Sequence, residues 1–191
     1  MTEKGRKKVA CYCSSMNGLP EDVTNGARLI GSVIGKCGAE LVYGGVNAGL
    51  MHDTALAAHE NGAKVTGVIP RFFMHRADAV CDEVIHAEDL NERKGKMITL
   101  SDIFIILPGG IGTIDEWVAT LSHIMVAERT GPDADKPILV WNHDGMYDGM
   151  VKQLNATGNS IYARGRKIDR SRIFHSAEEM AEALRLLLDC K

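Results

Sequence analysis

A chain of 191 residues with 45% hydrophobic, 25% charged and 5% aromatic residues has the length and balance of one folded domain, which excludes a disordered chain. A formal net charge of −3 carries no basic excess, so nucleic acid is not expected as a partner. No stretch approaches the roughly 18 apolar residues of a membrane span, and the apolar run 9–13 is too short for a signal-peptide core. No membrane association is expected, and the whole of 1–191 is read as a single domain. The five cysteines are odd in number and lack a Cys-x-x-Cys pair. They are expected as buried free thiols in a reducing cytoplasm, not as a disulfide framework or a zinc site.

Short apolar runs alternate with helical patterns along the chain. Residues 8–13 read as a strand. Glu21–Lys36 has helical periodicity through Val23, Ala27, Ile30 and Ile34, and stops at Cys37-Gly38. Glu40–Tyr43 reads as a strand ended by Gly44-Gly45, and 50–61 as a helix closed by Asn61-Gly62. Strands are expected at 64–69 and 79–85, and a helix over Leu90–Leu100. The clearest buried strand is 102–107, with Ile103, Phe104, Ile105 and Ile106 in succession. A long helix over 113–128 is followed by a strand at 137–141, a helix at 146–154 and a last strand at 168–174. A capping box, Ser176-x-x-Glu179, opens a final helix over 176–188. The least regular stretches are 71–77 and 155–166. Strand-then-helix order with continuously apolar strands predicts an α/β fold: a Rossmann-like, doubly wound, mainly parallel sheet with helices on both faces. In such sheets ligands lie beyond the carboxyl ends of the strands.

Twenty glycines are unevenly distributed, and two clusters follow strands. The stronger is Leu107-Pro108-Gly109-Gly110-Ile111-Gly112-Thr113-Ile114-Asp115-Glu116. Glycines let a backbone approach a ligand closely, and the helix start supplies free N–H donors, which together make a phosphate cradle. The same residues permit another reading, in which Thr113-x-x-Glu116 is a capping box that satisfies those donors without a ligand. The second cluster is Tyr43-Gly44-Gly45-Val46-Asn47-Ala48-Gly49-Leu50-Met51. Neither cluster has a dinucleotide or P-loop spacing.

On the helix Leu90–Leu100, one stripe holds Leu90, Arg93, Met97 and Leu100. An inward guanidinium there needs an anionic or planar partner, either a ligand or a structural carboxylate. His52 and His59 share a helix face without a metal-binding motif, so no metal site is expected. Trp117, Leu121, Ile124 and Met125 read as core. Arg164, Arg166, Lys167, Arg170 and Arg172 form a basic run that is either solvated or touches a phosphate.

Pro108-Gly109-Gly110-x-Gly112-Thr113-x-x-Glu116, preceded by Arg93-Lys94, resembles the signature of the Lonely Guy family of cytokinin riboside 5′-monophosphate phosphoribohydrolases, long labelled possible lysine decarboxylases. The similarity also covers Tyr43-Gly44-Gly45, Gly49-Leu50-Met51, Gly67-Val68-Ile69-Pro70 and Asp144-Gly145. It implies a Rossmann-like fold and a homodimer or higher homo-oligomer. It implies hydrolysis of the N-glycosidic bond of AMP or an N6-modified AMP to base and ribose 5-phosphate, as in cytokinin biosynthesis or an AMP nucleosidase. The family's essential arginine and glutamate fall on Arg93 and Glu116. Substrate-binding positions are expected at Lys94, Gly109, Gly110, Ile111, Gly112, Thr113, Gly44, Gly45 and Ser14, and no cofactor is required.

The chain departs from the family pattern at Leu90-Asn91 (usually Met-His), at Val46 and His52 (usually glycine), and at Cys13-Ser14-Ser15, which lacks a glycine. The core pair is intact, and the departures bear on base preference. In this reading Glu116 stabilises an oxocarbenium ion and activates water. The 5′-phosphate rests on the N–H groups from Gly110 to Thr113, and Arg93 neutralises phosphate or holds Glu116 ionised. Asp115, His52 and His123 are candidate proton donors to the leaving base. The alternative is a non-catalytic nucleotide-binding or cofactor-carrier protein of the same fold. Pyridoxal-dependent decarboxylation is disfavoured, because neither glycine loop supplies a Schiff-base lysine.

Overall fold

A computed structural model describes residues 5–127, 136–158 and 171–190. Seven parallel strands are β1 (Lys8–Tyr12), β2 (Glu40–Tyr43), β3 (Val65–Pro70), β4 (Glu83–Ala87), β5 (Ile103–Ile106), β6 (Ile138–Trp141) and β7 (Ser171–Phe174). Among the described residues there are six α-helices: α1 (Glu21–Lys36), α2 (Gly49–Glu60), α3 (Leu90–Leu100), α4 (Ile111–Ala127) and α5 (Asp148–Gly158) lie in the crossovers, and α6 (Ala177–Leu187) follows β7. The spatial order is β4-β3-β2-β1-β5-β6-β7. The chain winds outward from β1 to β4, then returns to β5 and winds the other way. That reversal makes the carboxyl ends of β1 and β5 the topological switch point, where a crevice opens between diverging connections.

The two faces of the sheet bury different sets of side chains because successive residues of a strand point to opposite sides. In β1, Val9 and Cys11 join the core under α1, α2 and α6, whereas Ala10 and Tyr12 join the core under α3, α4 and α5. Trp117, Leu121 and Ile124 of α4 are core as expected, and Met125 is half-buried. Helices α1 and α2 pack at backbone distance: a Cβ on Gly31 would stand 2.3 Å from the Thr54 carbonyl oxygen. Among the described residues no helix is long and apolar enough to cross a membrane.

Three expectations need correction. The strand expected at 79–85 starts later, because Asp78 organises a turn. Its carboxylate accepts from Val80 N–H and its carbonyl from Cys81 N–H, so pairing with β3 begins at Glu83. Residues 71–76 form a 3-10 helix, and the helix expected at 146–154 runs instead as Asp148–Gly158 after a 3-10 turn at His143–Gly145. Within the basic run only Arg172 lies among the described residues. It stands over the Phe174 ring on the edge strand β7, two strands beyond β5.

The cysteine reading is also corrected. Cys37, at the end of α1, is bonded to Cys190, beyond α6, at a sequence separation of 153. The α1–α6 contact brings their Cα atoms to 5.1 Å, a proximity that spacing along the chain does not encode. This pairing removes part of the argument for a reducing compartment. Cys11, Cys13 and Cys81 are the free cysteines. Thiol titration of the denatured, unreduced protein is expected to find three reactive groups and, after reduction, all five; five before reduction would contradict the bond.

Candidate active site

The crevice at the switch point is a cavity of about 340 Å³, walled by the loops after β1, β2, β3 and β5 and by α3 and α4. Its chemistry centres on a buried ion pair. Asp89 caps α3, its carboxylate accepting from the Asn91 and Glu92 N–H groups, and so fixes the turn that carries Arg93. The Arg93 side chain crosses the top of the sheet. Its Nε donates to the Val68 carbonyl at 3.0 Å and its Nη1 to Glu116 Oε1 at 2.5 Å. Side-chain exposure is 10% for Arg93 and 5% for Glu116, low enough for the pair to interact in a weakly screening medium. Burial pushes the Glu116 carboxyl above the usual carboxylate range, and the Arg93 charge beside it restores only part of the difference.

The glycine loops make room for this pair. A Cβ on Gly44 would stand 2.2 Å from Arg93 Nη2, so a larger residue after β2 would push the guanidinium from its place beside Glu116. Gly45 serves differently: its positive φ of 72° turns the chain back against Gly67, and it does not line the cavity.

Helix α4 begins at Ile111, two residues before the expected start. Thr113 therefore sits inside the first turn, and Glu116, one turn further on, faces Arg93. The capping-box reading fails for that reason. A helix leaves its first-turn N–H groups without internal acceptors, and here the residues at that end, Gly110, Ile111, Gly112 and Thr113, form part of the cavity wall. A Cβ on Gly109 would stand 2.1 Å from Thr113 Oγ1, whereas Gly110 and Gly112 border open space. Ser14, also in the wall, donates its N–H to the Pro108 carbonyl and ties the β1 loop to the β5 loop.

Several expected residues lie outside this constellation. Lys94 points away from the cavity and is held by Asp115 at 2.7 Å, which engages both in a surface pair. His52 is bound to Asp78 at 2.9 Å and lines a neighbouring recess, and His123 stands about two turns along α4 from Glu116. None of these three proton-donor candidates lines the cavity. His59 pairs with Asp82, and among the described residues no group of three or more His, Cys, Asp or Glu side chains could hold a metal ion.

Two contributions escape a reading of the sequence. Tyr147 donates its hydroxyl to the Leu107 carbonyl at 2.8 Å and pins the glycine loop from the far side of the sheet end. Asp144-Gly145 was the available signal for that corner. Phe73 and Arg76 line the cavity from the irregular stretch after β3, where no periodicity flags them. Gly44→Ala is expected to displace Arg93 and to lower stability by about 1–3 kcal/mol, as overpacking does. Urea denaturation measures this loss, and an unchanged midpoint would refute the close-approach role.

The comparisons with known proteins agree with this geometry. The family model described as possible lysine decarboxylase matches residues 51–186. The cytokinin riboside 5′-monophosphate phosphoribohydrolase LOG5 of Arabidopsis thaliana is 32% identical over 183 residues, covering 95% of this chain and 77% of that protein. The cytokinin riboside 5′-monophosphate phosphoribohydrolase of Mycobacterium marinum is 31% identical over 183 residues, covering 95% of each. Among solved structures, the molybdenum cofactor binding protein of Rippkaea orientalis superposes with a TM-score of 0.73 at 19% identity, covering 97% of this chain and 99% of that one. The molybdenum cofactor carrier protein of Chlamydomonas reinhardtii gives 0.70 at 18%, with the same coverage. At such identities the likeness is one of fold.

Proposed function

The chain belongs to the family described as possible lysine decarboxylase, that of the Lonely Guy phosphoribohydrolases, and from this premise we propose that it hydrolyses the N-glycosidic bond of adenine-type nucleoside 5′-monophosphates, AMP or an N6-modified AMP, to free base and ribose 5-phosphate. The observation that carries the reading is the buried Arg93–Glu116 pair, set beside an α-helix N-terminus on one cavity. A protein that only binds nucleotide needs the helix terminus but has no use for an ionised, desolvated carboxylate next to it.

The 5′-phosphate sits on the first-turn N–H groups of α4, with the Thr113 hydroxyl as a further donor. That anchor brings the ribose over the second turn, where Glu116 faces C1′. As the C1′–N bond lengthens, positive charge builds on the ribose and the carboxylate stabilises it. Water adds its oxygen to C1′, and the departing base takes up a proton. The geometry supports one of the two roles considered for Arg93. Two of its N–H groups are given to Val68 and Glu116, which supports the role of keeping Glu116 ionised and aimed. Phosphate binding at a distance from C1′ orients the bond that breaks. Decarboxylation through a lysine Schiff base finds no support, since no lysine lines the cavity. The working form is a homodimer or a larger homo-oligomer. In support, α4 exposes Ile111, Val118 and Val126 along one side.

Chromatography of nucleoside monophosphates after incubation with the protein is expected to show base and ribose 5-phosphate released in equal amounts. Tight binding without release would favour a nucleotide carrier. Glu116→Gln, which keeps a hydrogen-bond acceptor for Arg93, is expected to lower kcat by at least about 100-fold with the fold retained. Glu116→Ala should lose activity and also stability, by roughly 3–5 kcal/mol, because it strands a buried guanidinium. Circular dichroism and thermal melts separate the two effects.

The raised carboxyl of Glu116 sets the pH dependence. The reaction needs the carboxylate, so kcat/KM falls as pH drops through a value above that of an ordinary glutamate. Stability runs the other way. A group held above its unfolded value favours the fold below that unfolded value, and the contribution is lost as pH rises through the folded one. Arg93→Met should move the acidic limb of kcat/KM further up, because the charge that lowers the Glu116 pKa is gone. A limb that stays put, or moves down, would contradict the role given to Arg93.

A further inference from the structure

The cavity wall holds two cationic side chains, Arg93 and Arg76. Arg93 is engaged by Val68 and Glu116. Arg76 forms no ion pair with any described carboxylate, and its guanidinium lies over the Phe73 ring, 5.9 Å from the centroid. Its backbone is fixed although its side chain is exposed. The Asn47 N–H donates to the Arg76 carbonyl, Ala77 bridges to Val46, and the Asp78 N–H donates to the Gly45 carbonyl. His52 clamps the Asp78 carboxylate from α2. The 3-10 helix that carries Phe73 and Arg76 is thereby tied down over the end of β2.

Strand order gives the distance of this element from the phosphate cradle. The cradle follows β5, the 3-10 helix follows β3, and β1 and β2 lie between them. Two to three strand spacings are roughly 10–14 Å, which is the span of an extended mononucleotide. A ligand with its phosphate on α4 and its C1′ at Glu116 directs its base toward Phe73 and Arg76.

Met16, Val46, Met51 and Phe73 are apolar, the Ser14 and Ser15 hydroxyls lie in the wall beside Met16, and the charged side chain among them, Arg76, can only donate. A planar donor fork in an apolar surround complements a base edge with two adjacent acceptors. The O6/N7 edge of guanine and hypoxanthine is such an edge; adenine offers N7 beside an amino group that is itself a donor. We propose that Arg76 is a specificity-determining residue that reads the O6/N7 edge of 6-oxopurines, so that the site accepts guanosine and inosine 5′-monophosphates besides adenine-type ones. The proposal rests on the hydrolase reading above for its reaction, and extends it in base range.

The test compares GMP, IMP and AMP as substrates for the wild-type protein, Arg76→Met, which keeps an unbranched stem against Phe73, and Arg76→Lys, which keeps the charge without the fork. The wild-type protein is expected to turn over GMP and IMP. Arg76→Met should raise KM for both by about tenfold, the lower range for losing a bidentate contact, while KM for AMP changes less than twofold. Arg76→Lys, whose ammonium still donates to O6 and N7 without the planar fork, should lose less on GMP and IMP than Arg76→Met. Equal losses on all three nucleotides would mean that Arg76 acts as a general charge and would overturn the proposal. So would failure of the wild-type protein to accept GMP and IMP while it cleaves AMP. An effect on GMP alone would also overturn it, since IMP shares the O6/N7 edge and lacks the 2-amino group. If no nucleotide is cleaved, the hydrolase reading fails separately. Calorimetric Kd values for GMP, IMP and AMP with the same three proteins then decide the assignment by the same ratios.

Discussion

The constraint on which the site depends is that a guanidinium and a carboxylate lie together out of water. Burying either alone would cost several kcal/mol, and the pair is tolerated only because each group finds a close partner. Arg93 meets this requirement twice, at Glu116 and at the Val68 carbonyl on β3. Its position thus bridges the sheet end from α3 to α4. Much of the surrounding backbone reads as a consequence. Gly44 is bare so that the guanidinium can pass, Asp89 caps α3 so that residue 93 faces inward, and Gly109 is bare so that Thr113 can close the first turn of α4.

The same pair explains why the proposed reaction can do without a cationic side chain on the phosphate. Partial positive charge at the start of α4 and its unpaired N–H groups provide the anion site. Arg93 is left to act on Glu116. Lys94, adjacent to Arg93 in sequence, lies outside the cavity wall and holds Asp115. Neighbours on a helix are about 100° apart, and here Arg93 lines the cavity while Lys94 does not. The modest net charge of the chain fits this local arrangement.

The sequence made the fold legible because its strands are buried on both faces and its helices are amphipathic, so that each signal is local. Glu21–Lys36, Glu40–Tyr43 and Leu90–Leu100 are elements whose bounds follow from periodicity and stop signals alone. The start of α4 lies two residues before the one that local signals predict, for a physical reason. Gly110 and Gly112 weaken any local preference for helix, and it is packing against Ser14 and the Tyr147 hydrogen bond to the Leu107 carbonyl that hold the loop in position. The start of β4 is not set locally, because the Asp78 turn that displaces it is anchored by contacts to Gly45 and His52 from distant parts of the chain.

What the sequence determined by itself is the alternation of buried strands and helices, the two glycine loops after β2 and β5, and the presence of an arginine on an otherwise apolar stripe. Each of these is written within a dozen residues. What only the tertiary structure decided is which groups meet. Arg93 and Glu116 are 23 residues apart and become partners through the crossover of α3 and α4. Cys37 and Cys190 are joined across 153 residues by the packing of α6 on α1. Arg76 enters the cavity because the segment after β3 is tied back to the end of β2. Pairings of this kind depend on strand order and crossover path, which no local pattern of residues encodes.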